Sequence, residues 1–267
     1  MYSHAVITGA SSGFGAAFAR RLAETCPHLV LVARRGELLE ELAAELRAAH
    51  PALQVTVRPC DLADEAARAA LCGELTALPQ GSLLLVNNAG LGDYGELATA
   101  ARERVQTLLQ VNVMAVAELA HAVLPRLTEQ GGGIINLASL AADVFIPDFA
   151  LYAASKSFVA SFSEALRLEL RGTGVPVVAV CPGPVHTGFG DVARREGHSN
   201  GYSSFKKWFY TPVSVVVDGS LSALARNRAR YYPSLKIRLT ALLLRNLPLA
   251  LVRLVMGHRP RRVKKLS

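Results

Sequence analysis

Short apolar runs alternate along the chain with longer segments in which apolar residues recur every three or four positions. The short runs predict buried strands, and the longer segments predict amphipathic helices. The predicted strands span residues 4–7, 29–33, 54–58, 83–86, 133–138 and 175–181. The predicted helices span residues 13–24, 37–50, 65–78, 99–127 and 153–171. This alternation is typical of an α/β fold with a doubly wound parallel sheet flanked by helices.

A polar and aromatic segment interrupts the alternation after the last predicted strand. Residues 182–211 are rich in glycine, serine and aromatic side chains. We expect this segment to cover a site, which places a substrate lobe at residues 186–212.

A second segment, residues 235–256, is almost entirely Leu, Val, Ala and Arg. The apolar run is interrupted by Arg238, Arg245, Asn246, Pro248 and Arg253. The three arginines fall within roughly an 80° arc at about 100° per residue, which favours an amphipathic helix kinked near Pro248 over a membrane span. The alternative, a helix packed on the domain or on a partner subunit, is equally compatible with the pattern. We therefore divide the chain into a main domain, residues 1–234, and an amphipathic basic C-terminal extension, residues 235–267.

Length and composition are those of a globular protein. The chain has 267 residues, enough to bury a large core, with 51% hydrophobic and 19% charged residues. These proportions exclude a disordered or fibrous chain. Because the sequence contains neither an internal repeat nor a linker rich in Pro, Gly or Ser, one domain is expected before the extension.

The positive charge is concentrated at the C-terminus. After Asp218 the chain has 12 Lys and Arg and no acidic residue, which leaves 17 basic against 21 acidic residues before that point. A basic terminus can bind nucleic acid, an anionic lipid surface or an acidic partner. No nucleic-acid-binding motif accompanies it, so nucleic acid is not expected and peripheral membrane contact through the tail is the hypothesis.

The cysteines and histidines give no sign of a metal site or a disulfide framework. The cysteines are Cys26, Cys60, Cys72 and Cys181, without C-x-x-C spacing. This pattern fits a reducing compartment, so we expect a cytoplasmic protein. If the basic tail does bind lipid, the contact would be peripheral and at the inner surface of the membrane. No signal peptide is expected. His186 and His198 have no second ligand at metal-binding spacing and are interpreted as loop residues, so no metal is predicted.

The first strand runs into a glycine-rich turn, Thr8-Gly-Ala-Ser-Ser-Gly-Phe-Gly15. Glycines permit a tight turn and the close approach of a pyrophosphate, whose charge is favoured by the N-terminus of the following helix. Glycine is common in any tight turn between a strand and a helix. Its place in the first such turn nevertheless predicts a Rossmann fold that binds a dinucleotide.

The end of the second predicted strand indicates which dinucleotide is bound. Sites for NAD usually have an acidic residue there, whereas this chain has Ala33-Arg34-Arg35. Two guanidinium groups can bind a 2′-phosphate through charge-assisted hydrogen bonds, although both could instead be solvated surface charge. We predict NADP(H), bound mainly through Arg34.

Polar residues also follow the third and fourth predicted strands. Asp61-Leu62 and Asn87-Asn-Ala-Gly90 lie where ligands of open α/β sheets bind. Asp61 has an equally good alternative role as the cap of the following helix.

The sharpest chemical pattern is Tyr152-Ala-Ala-Ser-Lys156, at the start of a predicted helix. The spacing places the phenol and the ammonium on one helix face. An ammonium about 4 Å from the phenol would lower the tyrosine pKa by at most about 3 units, at an effective dielectric of about 20. Tyr152 would then serve as a general acid or base near neutral pH. Such a pair in isolation is usually surface packing.

Residues elsewhere in the chain strengthen the catalytic interpretation. Ser139 ends the fifth predicted strand and can bond a substrate carbonyl beside the phenol. Asn112 is a polar residue within a long apolar helix, where it either needs a partner or is exposed. Pro182-Gly-Pro184 would turn the chain beside the cofactor.

Taken in order, these motifs resemble the short-chain dehydrogenase/reductase family in its shorter, single-domain branch, from about residue 3 to about residue 225. The matching motifs are Thr-Gly-x-x-x-Gly-x-Gly at 8–15, Asn-Asn-Ala-Gly at 87–90, Asn112, Ser139, Tyr-x-x-x-Lys at 152–156 and Pro-Gly at 182–183. The chain departs from the family pattern after Tyr231, where it adds the Leu/Arg helix and a basic run.

The resemblance implies roles for individual residues. Tyr152 would donate the proton, Ser139 would position the carbonyl, and Lys156 would bind the nicotinamide ribose and lower the tyrosine pKa. Asn112 would hold a water molecule in a proton relay, and Thr187 would contact the nicotinamide amide. The expected cofactor-binding residues are Thr8, Gly9, Ser11, Ser12, Gly13, Phe14, Gly15, Arg34, Arg35, Asp61, Leu62, Asn88, Ala89, Gly90, Tyr152, Lys156, Pro182, Gly183, Val185 and Thr187.

These inferences predict an NADP(H)-dependent carbonyl reductase or alcohol dehydrogenase. The aromatic residues of the lobe favour a hydrophobic ketone or aldehyde, although ordinary lid packing would use the same residues. They are Phe189, Tyr202, Phe205, Trp208, Phe209 and Tyr210. By the resemblance, the long helices around Asn112 and after Tyr152 would pair across a two-fold axis in a homodimer or homotetramer.

Two alternatives belong to other functional classes. A non-catalytic NADP(H)-binding protein would act through its tail, but it would not need the Ser139, Tyr152 and Lys156 set. An epimerase or dehydratase of the extended branch would have Gly-x-x-Gly-x-x-Gly spacing and a larger C-terminal substrate domain.

Overall fold

The computed structural model describes residues 1–185, 189–193 and 210–257. One parallel sheet of seven strands forms its centre, in the order β3-β2-β1-β4-β5-β6-β7. The strands are β1 His4–Thr8, β2 His28–Ala33, β3 Gln54–Pro59, β4 Leu83–Asn87, β5 Gly132–Leu137, β6 Val177–Val180 and β7 Arg230–Tyr231. The chain proceeds outward from β1 in both directions, so the predicted doubly wound sheet is confirmed.

Helices cover both faces of the sheet. They are α1 Gly13–Ala23, α2 Gly36–Ala49, α3 Glu65–Thr76, α4 Arg102–Leu109, α5 Ala115–Gln130, α6 Ala150–Glu169, α7 Phe189–Val192, α8 Val213–Ala225, α9 Leu235–Asn246 and α10 Leu249–Gly257. A π-helical turn, Gln110–Met114, joins α4 to α5, and short 3-10 turns occupy Leu97–Thr99 and Leu140–Asp143.

Successive strand residues point to opposite faces and divide the core into two layers. In β1, Ala5 and Ile7 pack in the layer that contains Phe18 of α1 and Leu39 of α2. Val6 packs in the opposite layer, with residues of α3, α5 and α6. Both faces of the strands are therefore apolar, as a parallel sheet covered on both sides requires.

Three parts of the fold differ from the sequence-based expectation. The helix predicted at residues 99–127 is interrupted by the π-helical turn. The helix Val213–Ala225 and the strand β7 were not predicted, since a strand of two residues is too short to show a period. Two helices separated at Pro248 occupy the segment predicted as one kinked amphipathic helix.

One run of helix among the described residues, Arg102–Gln130, is long and apolar enough to cross a membrane. Its inner face contributes Val111, Leu119 and Val123 to the core beside the sheet. We therefore interpret this run as a core element of the domain.

The turn into β5 provides a test of the sheet geometry. Gly131 and Gly132 both have positive φ, but a side chain at Gly131 would meet open space, whereas a Cβ at Gly132 would lie 2.1 Å from the Leu83 carbonyl oxygen. We expect Gly131→Ala to lower the free energy of unfolding by about 1 kcal/mol and Gly132→Ala by about 3 kcal/mol or more, because only the second adds a backbone clash. Urea unfolding of both variants measures the difference. Equal losses would contradict the described turn.

Candidate active site

The candidate site lies at the carboxyl ends of the central strands. The order of strands reverses between β1 and β4, and ligands of open α/β sheets bind at that position. The glycine-rich turn follows β1, the Asn-Asn-Ala-Gly motif follows β4, and Ser139 follows β5.

The glycine-rich turn adopts a conformation that side chains would block. Gly9 and Gly13 have φ values of +66° and +56°. A Cβ at Gly15 would lie 2.2 Å from the Gly9 carbonyl oxygen. Ser12 is the N-cap residue of α1, yet its side chain makes no capping hydrogen bond. The first-turn N–H groups of α1 are therefore not used by this side chain, which fits the binding of a pyrophosphate.

Thr8 and Asn88 fasten this turn to the end of β4. The Thr8 Oγ1 accepts hydrogen bonds of 3.0 Å from the backbone N–H groups of Asn88 and Ala89. In return, the Asn88 Nδ2 donates to the backbone oxygens of Thr8 at 2.8 Å and Gly9 at 3.3 Å. A Cβ at Gly9 would lie 2.8 Å from the same Nδ2, so only glycine fits between the two loops.

The two arginines after β2 have different surroundings. The Arg35 Nη2 donates to the hydroxyls of Ser11 at 3.0 Å and Ser12 at 3.1 Å, and thereby reaches over the glycine-rich turn. Arg34 is exposed and makes no hydrogen bond or ion pair within the described part of the chain. Arg35 thus supports the loop, and Arg34 remains available for a 2′-phosphate.

The alternative role of Asp61 as a helix cap is wrong. Asp61 Oδ1 accepts from the N–H of Ala63 at 2.9 Å within the turn after β3. Asp64 is the N-cap of α3 and accepts from Ala67 at 2.8 Å. Asp61 lies three residues too early, since an N-cap must accept from the helix's own first turn.

The corner formed by Asp61 and Leu62 is held by a buried arginine. The Arg68 guanidinium donates to the Leu62 carbonyl oxygen at 3.0 Å and pairs with Glu118 at 2.8 Å. The hydrogen-bonded ion pair with Glu118 raises the Arg68 pKa, and burial of the guanidinium lowers it. The ion pair has the larger effect, so the pKa is raised.

A chain of buried amides joins β4, β5 and α6. The Asn87 Nδ2 donates to Asn136 Oδ1 at 2.9 Å, and the Asn136 Nδ2 donates to Ser163 Oγ at 2.9 Å. Asn136 and Ser163 are fully buried. A buried amide that loses its hydrogen-bond partner destabilises the fold, so this series of hydrogen bonds fixes the strand ends relative to α6.

Asn112 lies in the π-helical turn and is fully buried, so its exposure on a helix is excluded. Its amide pairs with both backbone groups of Leu91, at 2.8 and 2.9 Å, and donates to Ser155 Oγ at 3.0 Å. Ser155 in turn donates to the carbonyl oxygen of Tyr152 at 2.8 Å. Both Nδ2 protons are therefore committed to protein partners, and Asn112 fixes the loop after β4 against the helix that carries Tyr152.

The structure brings Tyr152, Lys156 and Ser139 together. The Lys156 Nζ donates to the Leu137 carbonyl oxygen at 2.6 Å and lies 5.8 Å from the centroid of the Tyr152 ring. The Ser139 hydroxyl, which accepts from the Ala141 N–H at 3.1 Å, lies near enough to the phenol to favour ionisation of Tyr152. A Cβ at Gly90 would lie 3.1 Å from Lys156 Nζ, so glycine keeps the space beside the ammonium clear for a ligand.

The expected lowering of the Tyr152 pKa is wrong. Burial raises the pKa of Tyr152 above its ordinary value, and the nearby Ser139 hydroxyl offsets only part of this effect. Burial also lowers the pKa of Lys156 to about 8. The phenol and the ammonium are both taken out of water, and desolvation of the phenolate outweighs any attraction to the ammonium.

Aromatic rings surround the phenol. Phe149 stacks on Tyr152, with ring centroids 4.2 Å apart, and Tyr94 stacks on the other face of Phe149 at 3.9 Å. Phe189 of α7 is tilted against Tyr152 at 5.5 Å. A Cβ at Gly92 would lie 2.8 Å from the Phe189 ring, so α7 packs closely on the loop after β4.

The supporting residues Asn87, Asn136 and Ser155 and the aromatic neighbours Tyr94 and Phe149 had no assigned role in the sequence analysis. A polar side chain in a strand that is otherwise wholly apolar could have indicated Asn136. Tyr94 and Phe149 lie in loops whose path only the fold determines.

Pro182 and the residues around it lie beside the Ser139 turn. The Pro182 carbonyl oxygen accepts from the Leu140 N–H at 2.9 Å, and Val185 packs against the core. His186, Thr187 and His198 lie outside the described residues, as do Tyr202, Phe205, Trp208, Phe209 and the basic run after residue 257. The described residues contain no cluster of three or more side chains suited to a metal ion.

The sequence from residue 3 to residue 197 matches the short chain dehydrogenase family. The chain belongs to this family. Sulfoacetaldehyde reductase 2 of Chromohalobacter salexigens is 41% identical over 191 residues, 69% of this chain and 73% of that protein. This agreement confirms the resemblance inferred from the motifs.

Solved structures of short-chain dehydrogenases share the whole fold. One from Sphingobium yanoikuyae in complex with NADPH has a TM-score of 0.77 and 30% identity, and the match covers 98% of each chain. Another, from Burkholderia phymatum in complex with NAD, has a TM-score of 0.78 and 28% identity, covering 99% of this chain and 98% of the other. A nicotinamide cofactor is thus supported for this short-chain dehydrogenase.

The buried ammonium predicts a pH-dependent stability. The Lys156 pKa falls from 10.5 in water to about 8 in the fold, so the folded protein binds fewer protons between these values. The contribution of Lys156 to the free energy of unfolding should therefore rise by about 3 kcal/mol as the pH increases from about 8 to about 10.5. Urea unfolding of Lys156→Met and wild type without cofactor measures this difference at each pH.

The variant should gain most over wild type below pH 8, and its advantage should shrink above it. Lys236→Met, which removes an exposed lysine, is the control and should give a constant difference. A constant difference for Lys156→Met would contradict the burial of a charged group at this position.

Proposed function

We propose that this short-chain dehydrogenase is an NADP(H)-dependent carbonyl reductase, interconverting a hydrophobic ketone or aldehyde and its alcohol. The observation that carries the proposal is the convergence of Ser139, Tyr152 and Lys156 at the strand ends beside the glycine-rich turn. A protein that only bound the cofactor would have no use for a buried phenol next to a buried ammonium.

The site residues fit a nicotinamide dinucleotide. The glycine-rich turn and the N-terminus of α1 would hold the pyrophosphate, and Lys156, beside the space left by Gly90, would bind ribose hydroxyls. When bound, the reduced nicotinamide supplies the hydride that reduces the carbonyl carbon.

The protein supplies the proton and the geometry. The Ser139 hydroxyl would bond the substrate carbonyl oxygen and hold it next to the Tyr152 phenol. The phenol would then donate its proton to that oxygen as negative charge develops there. The phenol is protonated at neutral pH, as a proton donor must be, and interactions that lower its raised pKa would make it a better donor.

Preference for NADP(H) is supported by the charges after β2. Enzymes that use NAD usually have an acidic residue after the second strand, which binds the ribose 2′-hydroxyl. This chain has Arg34 and Arg35 there instead. Arg34 is exposed close to the turn that Arg35 braces. A 2′-phosphate at this place would gain a charge-assisted bond from Arg34.

An apolar substrate is supported by the rings around the phenol. Tyr94, Phe149 and Phe189 line the approach to Tyr152 with aromatic surface, and Phe145 in the neighbouring loop is exposed. A relative named for sulfoacetaldehyde makes a short anionic aldehyde the competing substrate class. Such a substrate would need a cation at the site, and Lys156 is assigned to the cofactor.

The helices α4, α5 and α6 offer faces for a homodimer or homotetramer, as the family resemblance implies. Large apolar side chains are exposed on these helices and on the π-helical turn between α4 and α5: Leu109, Met114, Phe158 and Leu168. We propose association through these faces in a cytoplasmic enzyme.

Removing the phenolic hydroxyl tests the chemistry. We expect Tyr152→Phe to lower kcat/KM for carbonyl reduction by about 10²- to 10⁴-fold, the usual contribution of a general acid, with NADPH binding retained. Oxidation of NADPH is followed with aldehydes and ketones graded from short and polar to long and apolar, and with sulfoacetaldehyde. Tyr2→Phe, the same change far from the site, is the control.

For the wild type, kcat/KM should rise with apolar chain length. Equal turnover by Tyr152→Phe would refute the assigned proton donor. Turnover confined to sulfoacetaldehyde would refute the hydrophobic substrate while leaving the reductase in place.

Removing the charge at Arg34 tests the cofactor preference. We expect Arg34→Ala to raise the Kd for NADPH by about 10- to 100-fold, because it removes a charge-assisted hydrogen bond to phosphate. The Kd for NADH should stay within about twofold, and Arg171→Ala, an exposed arginine on another part of the surface, should change neither. Fluorescence titration gives both constants. An unchanged Kd for NADPH in Arg34→Ala would contradict the assignment.

A further inference from the structure

The helix α9 presents a stripe of leucines to solvent. Leu235, Leu239, Leu242 and Leu243 are 68%, 55%, 60% and 60% exposed. At about 100° per residue these four positions fall within roughly a 100° arc. Isolated exposed leucines are common, but a contiguous apolar stripe marks an interaction site.

The opposite face of the same helix holds it to the domain. Ile237 and Ala241 are buried, and Ser234 caps the helix by accepting from the Ile237 N–H at 3.2 Å. The alternative that the extension packs on the domain therefore holds for this face, and the leucine stripe faces away from it. In α10, Val252 is buried while Leu251 and Leu254 are exposed.

Basic residues flank the leucine stripe. On the same helical wheel, Arg238 and Arg245 lie at one edge of the stripe and Lys236 lies at the other. Leucines bordered by cations are typical of helices that lie in the interface of a membrane, where the apolar face enters the acyl boundary and the cations meet phosphate.

An arginine-lined groove of about 700 Å³ adjoins this edge, between α8, β7 and α9. Five arginines line the groove: Arg226, Arg228, Arg230, Arg238 and Arg245. Arg230 pairs with Asp143 and Glu164, and Arg245 lies 4.0 Å from Asp143. Within the described part of the chain, Arg226, Arg228 and Arg238 have no carboxylate partner. Guanidinium groups without a counter-charge, converging on a groove, form a site for phosphate.

We propose that the leucine stripe of α9 and the adjoining arginine groove dock the protein on a membrane surface that contains anionic phospholipids. The leucines enter the acyl boundary, and Arg226, Arg228 and Arg238 bind lipid phosphates. Each basic residue near an anionic surface adds about 1 kcal/mol of attraction, or about fivefold in affinity. The apolar and the electrostatic parts act together, as stable peripheral binding requires.

The charge of this face argues against a second copy of the chain as its occupant. Packing two such stripes across a two-fold axis would bring the cationic edge of one stripe against that of its copy; Arg245 lies near Asp143, but Arg238 has no carboxylate partner within the described part of the chain. Like charges held together at an interface oppose association. The helices α9 and α10, of 12 and 9 residues, are also too short to span a bilayer, which needs about 20.

The docking face is connected to the candidate active site. Asp143 ends the 3-10 turn that begins directly after Ser139, and it accepts hydrogen bonds from Arg230 at 2.7 Å and Tyr232 at 2.8 Å. Helix α9 packs against this turn. Membrane docking does not depend on the proposed reaction, but it would place the substrate entrance near a source of apolar carbonyl compounds.

Vesicle co-sedimentation of the full chain tests the proposal. We expect binding to vesicles of equal parts phosphatidylcholine and phosphatidylglycerol, and at least about tenfold weaker binding to phosphatidylcholine alone or in high salt. Leu239→Gln with Leu243→Gln keeps every charge and should weaken binding by at least about tenfold, because two leucines no longer leave water. Arg228→Gln with Arg238→Gln should weaken it by about 30-fold.

Matched controls separate this face from general effects. Leu97→Gln removes another exposed leucine, and Arg102→Gln with Arg171→Gln removes the same charge elsewhere; neither should change binding by more than about twofold. The proposal is overturned if the wild type fails to sediment, if it binds neutral vesicles equally well, or if the leucine variant binds like wild type. A leucine variant that sediments normally but loses an oligomeric state would assign the stripe to a second copy.

Discussion

A buried ammonium is the constraint to which the active site is fitted. Lys156 is removed from water, and within the described residues its one hydrogen bond is to the carbonyl oxygen of Leu137. Burial of a charge without a counter-ion is costly, and the fall of the Lys156 pKa to about 8 expresses that cost. Gly90 keeps clear the space beside the two remaining N–H donors. A ligand that brings hydroxyl acceptors there would relieve the cost, so cofactor binding and the protonation of Lys156 are linked.

Such an unfavourable group stays in place only if its surroundings are rigid. Three amide clusters provide that rigidity, each centred on one asparagine: Asn88 ties β4 to the glycine-rich turn, Asn136 ties β5 to β4 and α6, and Asn112 ties the loop after β4 to α6. Each amide bonds to backbone, hydroxyl or other amide groups and not to a charge, so the frame does not change with pH. The geometry around Tyr152 is thereby set before any ligand binds, as efficient catalysis requires.

The sequence predicted what depends on local spacing and on strand ends. The alternation of apolar runs gave the doubly wound sheet, and the i, i+4 spacing placed Tyr152 and Lys156 on one face of a helix. The direction of the tyrosine pKa was wrong, because burial by Phe149 and Phe189 depends on loops that meet only in the fold. The π-helical turn at Asn112 was likewise hidden, since the apolar positions Val111, Ala115 and Leu119 keep the four-residue spacing of an ordinary helix.

Most of the positive charge in the C-terminal part of the chain that the structure describes lies on the surface, away from the buried residues of the active site. Asp143 is the acidic residue where the two meet, because it binds Arg230 and Tyr232 on the groove side and ends the turn that starts at Ser139. Its carboxylate is buried and neutralises only the innermost arginine fully. The outer arginines, Arg226, Arg228 and Arg238, are exposed, so solvent screens their charges from the buried phenol. A cationic surface can therefore attract anionic partners without stabilising the phenolate, and the buried Tyr152 keeps its proton.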